Sequence, residues 1–303
     1  MTAGGAELQA DIARLKRETG ALILAHNYQL PEVYPVADFI GDSLELARQA
    51  AQARSRFIVF CGVRFMAETA KLLSPDARVV LAEPGAGCQM ADMVTAGALA
   101  ERRRQLGDVA VVSYVNTPAD VKAESDICCT SANAVAVVRS VPADRRILFV
   151  PDRNLAAWAA LESGRELIPW PGFCYVHATF TPADVERARQ RWPGATVIVH
   201  PECPLEVIRA ADRVASTGGM LRLAQELGEV VLGTEAGMCA RIARDYPDVR
   251  CHPLRRTALC ANMKRTTLAS VRRALLGEVE EITIPVPVAT RARVAIERML
   301  AVG

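Results

Sequence analysis

Short apolar runs alternate with longer segments whose apolar positions recur at helical spacing, and the alternation occurs three times along the 303 residues. The first copy, ALILAHNYQLPEVYPVADFIGDSLELARQA, begins at Ala21. The second, VVSYVNTPADVKAESDICCTSANAVAVVRS, begins at Val111, and the third, TVIVHPECPLEVIRAADRVASTGGMLRLAQE, at Thr196. Each opens on an apolar run, crosses a polar tip, continues with proline, an acid and valine, and reaches a second apolar stretch. That stretch closes on Asp38, Asp126 or Asp212, followed five residues later by Ser43, Ser131 or Thr217. A helical pattern comes next, and then a further apolar run: RFIVFCG, RILFVPD or EVVLGTE. Strand-length runs alternating with helix-length segments predict βαβ units and parallel sheets. The chain is therefore read as three similar α/β/α domains, spanning 1–106, 107–192 and 193–303 and related by a pseudo-threefold axis.

The repeat gives meaning to three solitary cysteines. Cys88, Cys174 and Cys260 each fall late in their copy, beyond the further apolar run, and stand 86 residues apart in both intervals. None has the CxxC partner of a zinc knuckle or a redox pair. If equivalent loops meet at the threefold axis, three thiols distant in sequence become one site. The remaining cysteines, Cys61, Cys128, Cys129, Cys203, Cys239 and Cys251, are read as small buried hydrophobes.

Composition narrows the function classes. With 51% hydrophobic and 23% charged residues the chain has an ordinary globular profile. The net charge of +2 is spread among interleaved acids and bases, so no nucleic-acid footprint stands out. The first twenty residues read as a polar amphipathic helix without the apolar core of a signal peptide, and no apolar run is long enough to cross a membrane. A cytoplasmic location with reduced thiols is the expectation.

Three thiolates brought together are costly unless a metal neutralises them. A 4Fe-4S cluster held by three cysteines leaves one iron open as a Lewis acid, whereas electron-transfer clusters usually carry four thiolates. The strand tips supply the rest of the site, because ligands of parallel α/β sheets bind beyond the carboxyl ends of the strands. There stand His26, Asn27 and Tyr28, then Tyr114 and Asn116, then His200 and Glu202. Histidine, tyrosine and glutamate suit proton transfer near neutral pH. Ser43, Ser131 and Thr217 are expected to open helices, whose N-termini favour anions, although a plain cap explains each of them taken alone. Glu235, in GTEAG at a strand end, stays in play, and His252 reads as a surface or satisfied histidine. Two rivals remain: an iron-sulfur sensor, for which no partner-binding or nucleic-acid module is evident, and a zinc protein with three thiolates.

The motifs LAHNYQLPEV, DFIGDSLELA, FCGVRFMAETAKLL, CQMADM, SYVNT, CTSANA, PGFC with His177, VIVHPEC, GTEAGM and CANMK together resemble the quinolinate synthase family over about residues 20 to 275. The resemblance implies condensation of iminoaspartate with dihydroxyacetone phosphate to quinolinate, phosphate and water in de novo NAD biosynthesis, a transferase reaction. It implies an oxygen-sensitive 4Fe-4S cluster on Cys88, Cys174 and Cys260, at the centre of three α/β/α domains. Substrate would meet His26, Ser43, Tyr114, Val115, Asn116, Ser131, His200, Pro201, Glu202 and Thr217. Tyr28 and Glu202 would be acid and base, with His26, His177 and His200 assisting. The unstable imine would come from an aspartate oxidase or aspartate dehydrogenase. Three departures stand out: Arg64 replaces an expected histidine, Gly218 and Gly219 follow Thr217 where serine is common, and Cys260 lacks the C-x-x-C-x-x-C run of some members, so no disulfide switch beside the cluster is expected.

Overall fold

The computed structural model describes residues 3–302; Met1 and Thr2, at the head of the helix expected there, and Gly303 lie outside the described residues. The first unit runs α1 (Ala3–Thr19), β1 (Leu22–His26), β2 (Phe39–Gly41), α2 (Ser43–Gln52), β3 (Phe57–Cys61), α3 (Arg64–Leu73) and β4 (Arg78–Leu81). The second runs α4 (Ala96–Leu106), β5 (Val109–Tyr114), α5 (Ala119–Ala123), β6 (Ile127–Cys129), α6 (Ala134–Ser140), β7 (Arg146–Val150), α7 (Arg153–Ser163) and β8 (Leu167–Pro169). In the third come α8 (Pro182–Arg191), β9 (Thr196–Val199), α9 (Leu205–Ala210), β10 (Arg213–Val214), α10 (Thr217–Leu227), β11 (Glu229–Gly233), α11 (Gly237–Asp245) and β12 (Arg250–Pro253). Two helices close the chain, α12 (Leu268–Leu275) and α13 (Val286–Val302).

The three parallel four-stranded sheets have the same order: β2-β1-β3-β4, β6-β5-β7-β8 and β10-β9-β11-β12. Even the register repeats, since Leu24 pairs with Phe39, Val112 with Ile127 and Ile198 with Arg213. The repeated aspartate sets that register. Its Oδ2 accepts the amide of Ile23, Val111 or Val197 at 2.8 Å in every unit. A base from the preceding helix holds the same carboxylate: Lys16 on Asp38 at 2.7 Å, Arg103 on Asp126 at 3.0 Å and Arg189 on Asp212 at 2.7 Å. The repeated valine is fully buried in each copy, as Val33, Val121 and Val207. It anchors the short helical turn that carries the chain from the first strand to the second.

A cyclic hand-over joins the units. Each repeat cysteine is followed by a single 3-10 turn, at Ala91–Met93, His177–Thr179 or Met263–Arg265, and then by Thr95, Thr181 or Thr267 at the head of a helix. Each of those helices covers the next sheet. Leu99 of α4 packs with Val111 and Leu148 of the second sheet, and Val185 of α8 with Val197 and Val231 of the third. Val271 of α12 returns to Ile23 and Val59 of the first sheet, closing the ring. α13 lies against α5 and β6 of the second unit. On the opposite faces one continuous apolar core takes in Leu24, Phe60, Val112, Phe149, Ile198 and Leu232 together with Ile296 and Met299 of α13. Burial on both faces is why these strands read as unbroken apolar runs with little alternation.

Candidate active site

The three first strands end at one place. His26 is the last residue of β1, Tyr114 the last of β5, and His200 follows β9 directly. Two tips share one local turn: His26 Nδ1 accepts the amide of Tyr28 at 3.2 Å, and His200 Nδ1 accepts that of Glu202 at 3.3 Å. An acceptor at Nδ1 leaves Nε2 as the protonated nitrogen of a neutral ring. Both imidazoles are pushed down to about 3, first by burial, and then by the charge of Lys264 for His26 and of His177 for His200. The third tip presents Tyr114 and Asn116 instead of a histidine.

Side chains from all three units form one hydrogen-bonded chain. Tyr114 donates to Glu202 Oε1 at 2.6 Å, and Glu202 Oε2 lies 2.8 Å from His177 Nδ1. His177 Nε2 is 2.8 Å from Thr234 Oγ1, which is 2.5 Å from the Tyr28 hydroxyl. Burial works to raise the Glu202 carboxyl, but His177 and His200 beside it and bonds from His177 and Tyr114 hold it well below the usual carboxylate range. An ionised carboxylate only accepts, so His177 donates through Nδ1, while its Nε2 and the Tyr28 hydroxyl meet at Thr234 Oγ1. Burial raises both tyrosines well above the ordinary phenol value, which keeps them as donors. The rings of His177 and His200 stack with centroids 4.4 Å apart.

These groups wall one cavity. Cys88, Cys174 and Cys260 all line it, together with His26, Tyr28, Ser43, Tyr114, Asn116, Ser131, His177, His200, Glu202 and Thr217. Val115 and Pro201 do not; Val115 faces a smaller apolar void beside Phe60 and Leu46. The turn after each cysteine aims a backbone amide at the sulfur: that of Ala91 at Cys88, His177 at Cys174 and Met263 at Cys260. Burial nevertheless raises all three thiols, Cys88 to about 12, and the charges of neighbouring thiols add to the rise for Cys88 and Cys174. Deprotonating them together requires a cation. Cys174, His177 and Glu202 also bring ligand atoms within 4.8 Å of one another, a group able to hold a metal ion.

The hydroxyls differ in one respect from the sequence expectation. Ser43 and Thr217 are the first residues of α2 and α10, but the caps are their predecessors: Asp42 accepts from Leu44 and Glu45, and Ser216 from Gly219. Both hydroxyls are thereby spared for the cavity. Ser131 sits in a turn three residues ahead of α6 and opens no helix. Among the described residues no partner meets buried Asn116 Oδ1 or Asn27 Oδ1, while Asn27 Nδ2 donates to Thr217 at 3.1 Å. Such orphaned acceptors beside a cavity suit a polar ligand or water.

Sequence reasoning did not place Asp42, Gln89, Tyr175, Asn262 or Met263 on the cavity wall, nor Thr234 in the hydrogen-bonded chain. For Gln89, Tyr175 and Asn262 the signal was present, since each lies within two residues of a repeat cysteine. Glu235 lines the cavity and pairs with Lys264 at 3.1 Å. His252 is satisfied by Glu229 at 3.0 Å and stacks on Trp192. Cys61, Cys128, Cys129 and Cys203 are buried as expected, but Cys239 and Cys251 are only half-buried, with their sulfurs 2.7 Å apart. Gly218 has a packing reason: a Cβ there would meet Asp42 Oδ2 at 2.7 Å.

Fold and site together define an α/β protein whose central cavity combines a hydrogen-bonded chain of tyrosine, glutamate, histidine and threonine with a metal-competent set of donors. The family model described as quinolinate synthetase A protein matches residues 10–301, and the chain belongs to that family. A quinolinate synthase of Methanoregula boonei is 54% identical over 296 residues, covering 97% of this chain and 98% of the relative. Those of Desulforudis audaxviator and Thermococcus onnurineus are 52% and 49% identical, each again covering 97% of this chain and 98% of the relative. No helix among the described residues is long and apolar enough to cross a membrane.

Proposed function

We propose that this chain is a quinolinate synthase of NAD biosynthesis, condensing iminoaspartate with dihydroxyacetone phosphate to quinolinate with release of phosphate and water. The observation that carries the reading is the convergence on one cavity of the three repeat cysteines and the chain Tyr114–Glu202–His177–Thr234–Tyr28. Cys88, Cys174 and Cys260 would hold a 4Fe-4S cluster. They are the three cysteines on the cavity wall, and each sulfur receives an amide from its own 3-10 turn. A cluster bound by three thiolates supplies an iron open to a substrate oxygen.

The remaining work falls to the side chains. Ionised Glu202 takes a proton from a substrate carbon or oxygen, and Tyr28 gives one, with His177 and Thr234 between them holding the two groups in place. His26 and His200 offer Nε2–H to substrate oxygens without adding charge. Ser43 and Thr217, whose hydroxyls line the cavity while their predecessors cap α2 and α10, bind the phosphate or a carboxylate. Exclusion of water matters for this chemistry, because an imine hydrolyses.

A mononuclear ion on Cys174, His177 and Glu202 is the second reading, supported by the closeness of their ligand atoms. It would have to break the 2.8 Å bond between His177 and Glu202. Anaerobic iron, sulfide and zinc analysis decides between them. About four irons and four sulfides per chain, lost in Cys88→Ala, Cys174→Ala and Cys260→Ala alike and accompanied by quinolinate formation in the wild type, is the expected result. One zinc without sulfide, surviving Cys88→Ala, would overturn it.

A further inference from the structure

The three cysteine loops share a backbone tie but differ in how the cysteine itself is held. Two residues after each third strand of a sheet stands one equivalent position, occupied by Val63, Asp152 or Glu235. The amide that follows it donates to the carbonyl two residues before the cysteine: Arg64 to Ala86 at 2.9 Å, Arg153 to Gly172 at 2.9 Å and Ala236 to Ala258 at 2.8 Å. In two units the position is an acid whose second oxygen reaches the cysteine. Asp152 Oδ2 accepts the Cys174 amide at 3.2 Å, and Glu235 Oε1 accepts that of Cys260 at 3.3 Å. The first unit has valine there, and among the described residues no protein acceptor meets the Cys88 amide.

Both acids are buried, Asp152 at 0% and Glu235 at 1% exposure, and both are fully engaged. Asp152 Oδ1 caps α7 through the amides of Asn154 and Leu155, at 2.7 and 2.9 Å. Glu235 Oε2 accepts from Gly237 at 2.8 Å and from Lys264, which also donates to the Tyr28 carbonyl. The oxygen left over in each case does one thing: it fixes a cysteine backbone. A buried acceptor with this many donors costs too much desolvation to persist as a mere filler of space.

We infer that Asp152 and Glu235 are positioning residues that clamp the Cys174 and Cys260 corners of the three-thiol site, leaving Cys88 as its least constrained corner. The inference rests on the proposed cofactor reading for its purpose and on backbone geometry for its content. The amide variants Asp152→Asn and Glu235→Gln are isosteric. Each can keep its carbonyl oxygen on the donors that hold the cap or Lys264, and then turns an NH2 toward the cysteine amide, where two donors face each other.

The test is amide hydrogen exchange, resolved to the three cysteine loops, in the cluster-loaded protein and again after anaerobic chelation. In the chelated wild type the Cys88 amide should exchange about tenfold or more faster than those of Cys174 and Cys260, the scale of one hydrogen bond. Asp152→Asn should speed exchange at Cys174 alone and Glu235→Gln at Cys260 alone, and each should hasten chelator-driven loss of the cluster absorbance. Equal exchange at the three cysteines in the wild type, or a rise spread over all three in either variant, would overturn the clamps. The wild-type comparison needs no variant to fold. A wild type that assembles no cluster would sink the cofactor reading, while the exchange pattern alone would still decide the clamps.

Discussion

The two ends of each first strand follow opposite rules. Beside its start the three units are alike: one aspartate, one strand amide 15 residues earlier in the chain and one basic partner from the helix before. At its tip they diverge into His26 and Tyr28, Tyr114 and Asn116, His200 and Glu202. A scaffold that repeats its fastenings while varying its tips obtains three different chemical groups around one cavity from one fold. Identical tips would give a symmetric site suited to a symmetric ligand, whereas an acid-base chain needs distinct partners in a fixed order.

Breaking a tip should therefore abolish turnover and spare the fold. Glu202→Gln removes the proposed base and the acceptor of the His177 proton, and kcat is expected to fall about 10²- to 10⁴-fold. The iron and sulfide content and the unfolding midpoint should stay near wild type. A variant that keeps full quinolinate formation would show that the chain of hydrogen bonds is structural.

How far the sequence revealed this depends on whether the information is local. The three parallel sheets followed from strand-length runs, and the cavity residues followed from registration, because Cys88, Cys174 and Cys260 hold one place in each copy. Thr234 could not be seen that way. It is an ordinary threonine until His177, from another unit, comes within 2.8 Å. The hydroxyl expected to open a helix at Ser131 failed for a local reason: Asn133 Oδ1 accepts the Thr130 amide at 2.8 Å and holds a turn there, so α6 starts later. The hand-over of α4, α8 and α12 to the following sheet was equally hidden, since an amphipathic helix shows that it has a partner but not which one.

Acid should act on the tips next. His26 and His200 are held near 3 in the folded chain against an ordinary 6.5, so the native state binds fewer protons than the unfolded state between those values. Their stabilising effect is complete above about pH 6.5 and is lost as pH falls toward 3, at up to about 1.4 kcal/mol per pH unit for each ring. Asp152, pushed up to about 8 by burial and by Glu202, gives the opposite slope between about pH 5 and 7, so the rings are read from the difference between wild type and His200→Gln in urea unfolding of the cluster-free chain, where the variant should lose one ring's share. A variant that keeps the wild-type slope would mean that the His200 ring is protonated or solvated in the native state.

Breaking a fastening should give the smallest effect and the reverse pattern. Asp126 carries both the Val111 amide and Arg103, whose side chain is 37% exposed, so solvent screens the ion pair and the strand amide supplies most of the energy. Asp126→Asn is expected to cost about 1 to 2 kcal/mol of stability while leaving kcat within about twofold, since the side chain reaches no cavity group. Asp38→Asn and Asp212→Asn should match it, because their amide bonds have the same 2.8 Å length and the same place in the repeat. If one of the three instead lowered turnover by tenfold or more, the start of that strand would be coupled to its tip, and the division of labour between scaffold and chemistry would fail in that unit.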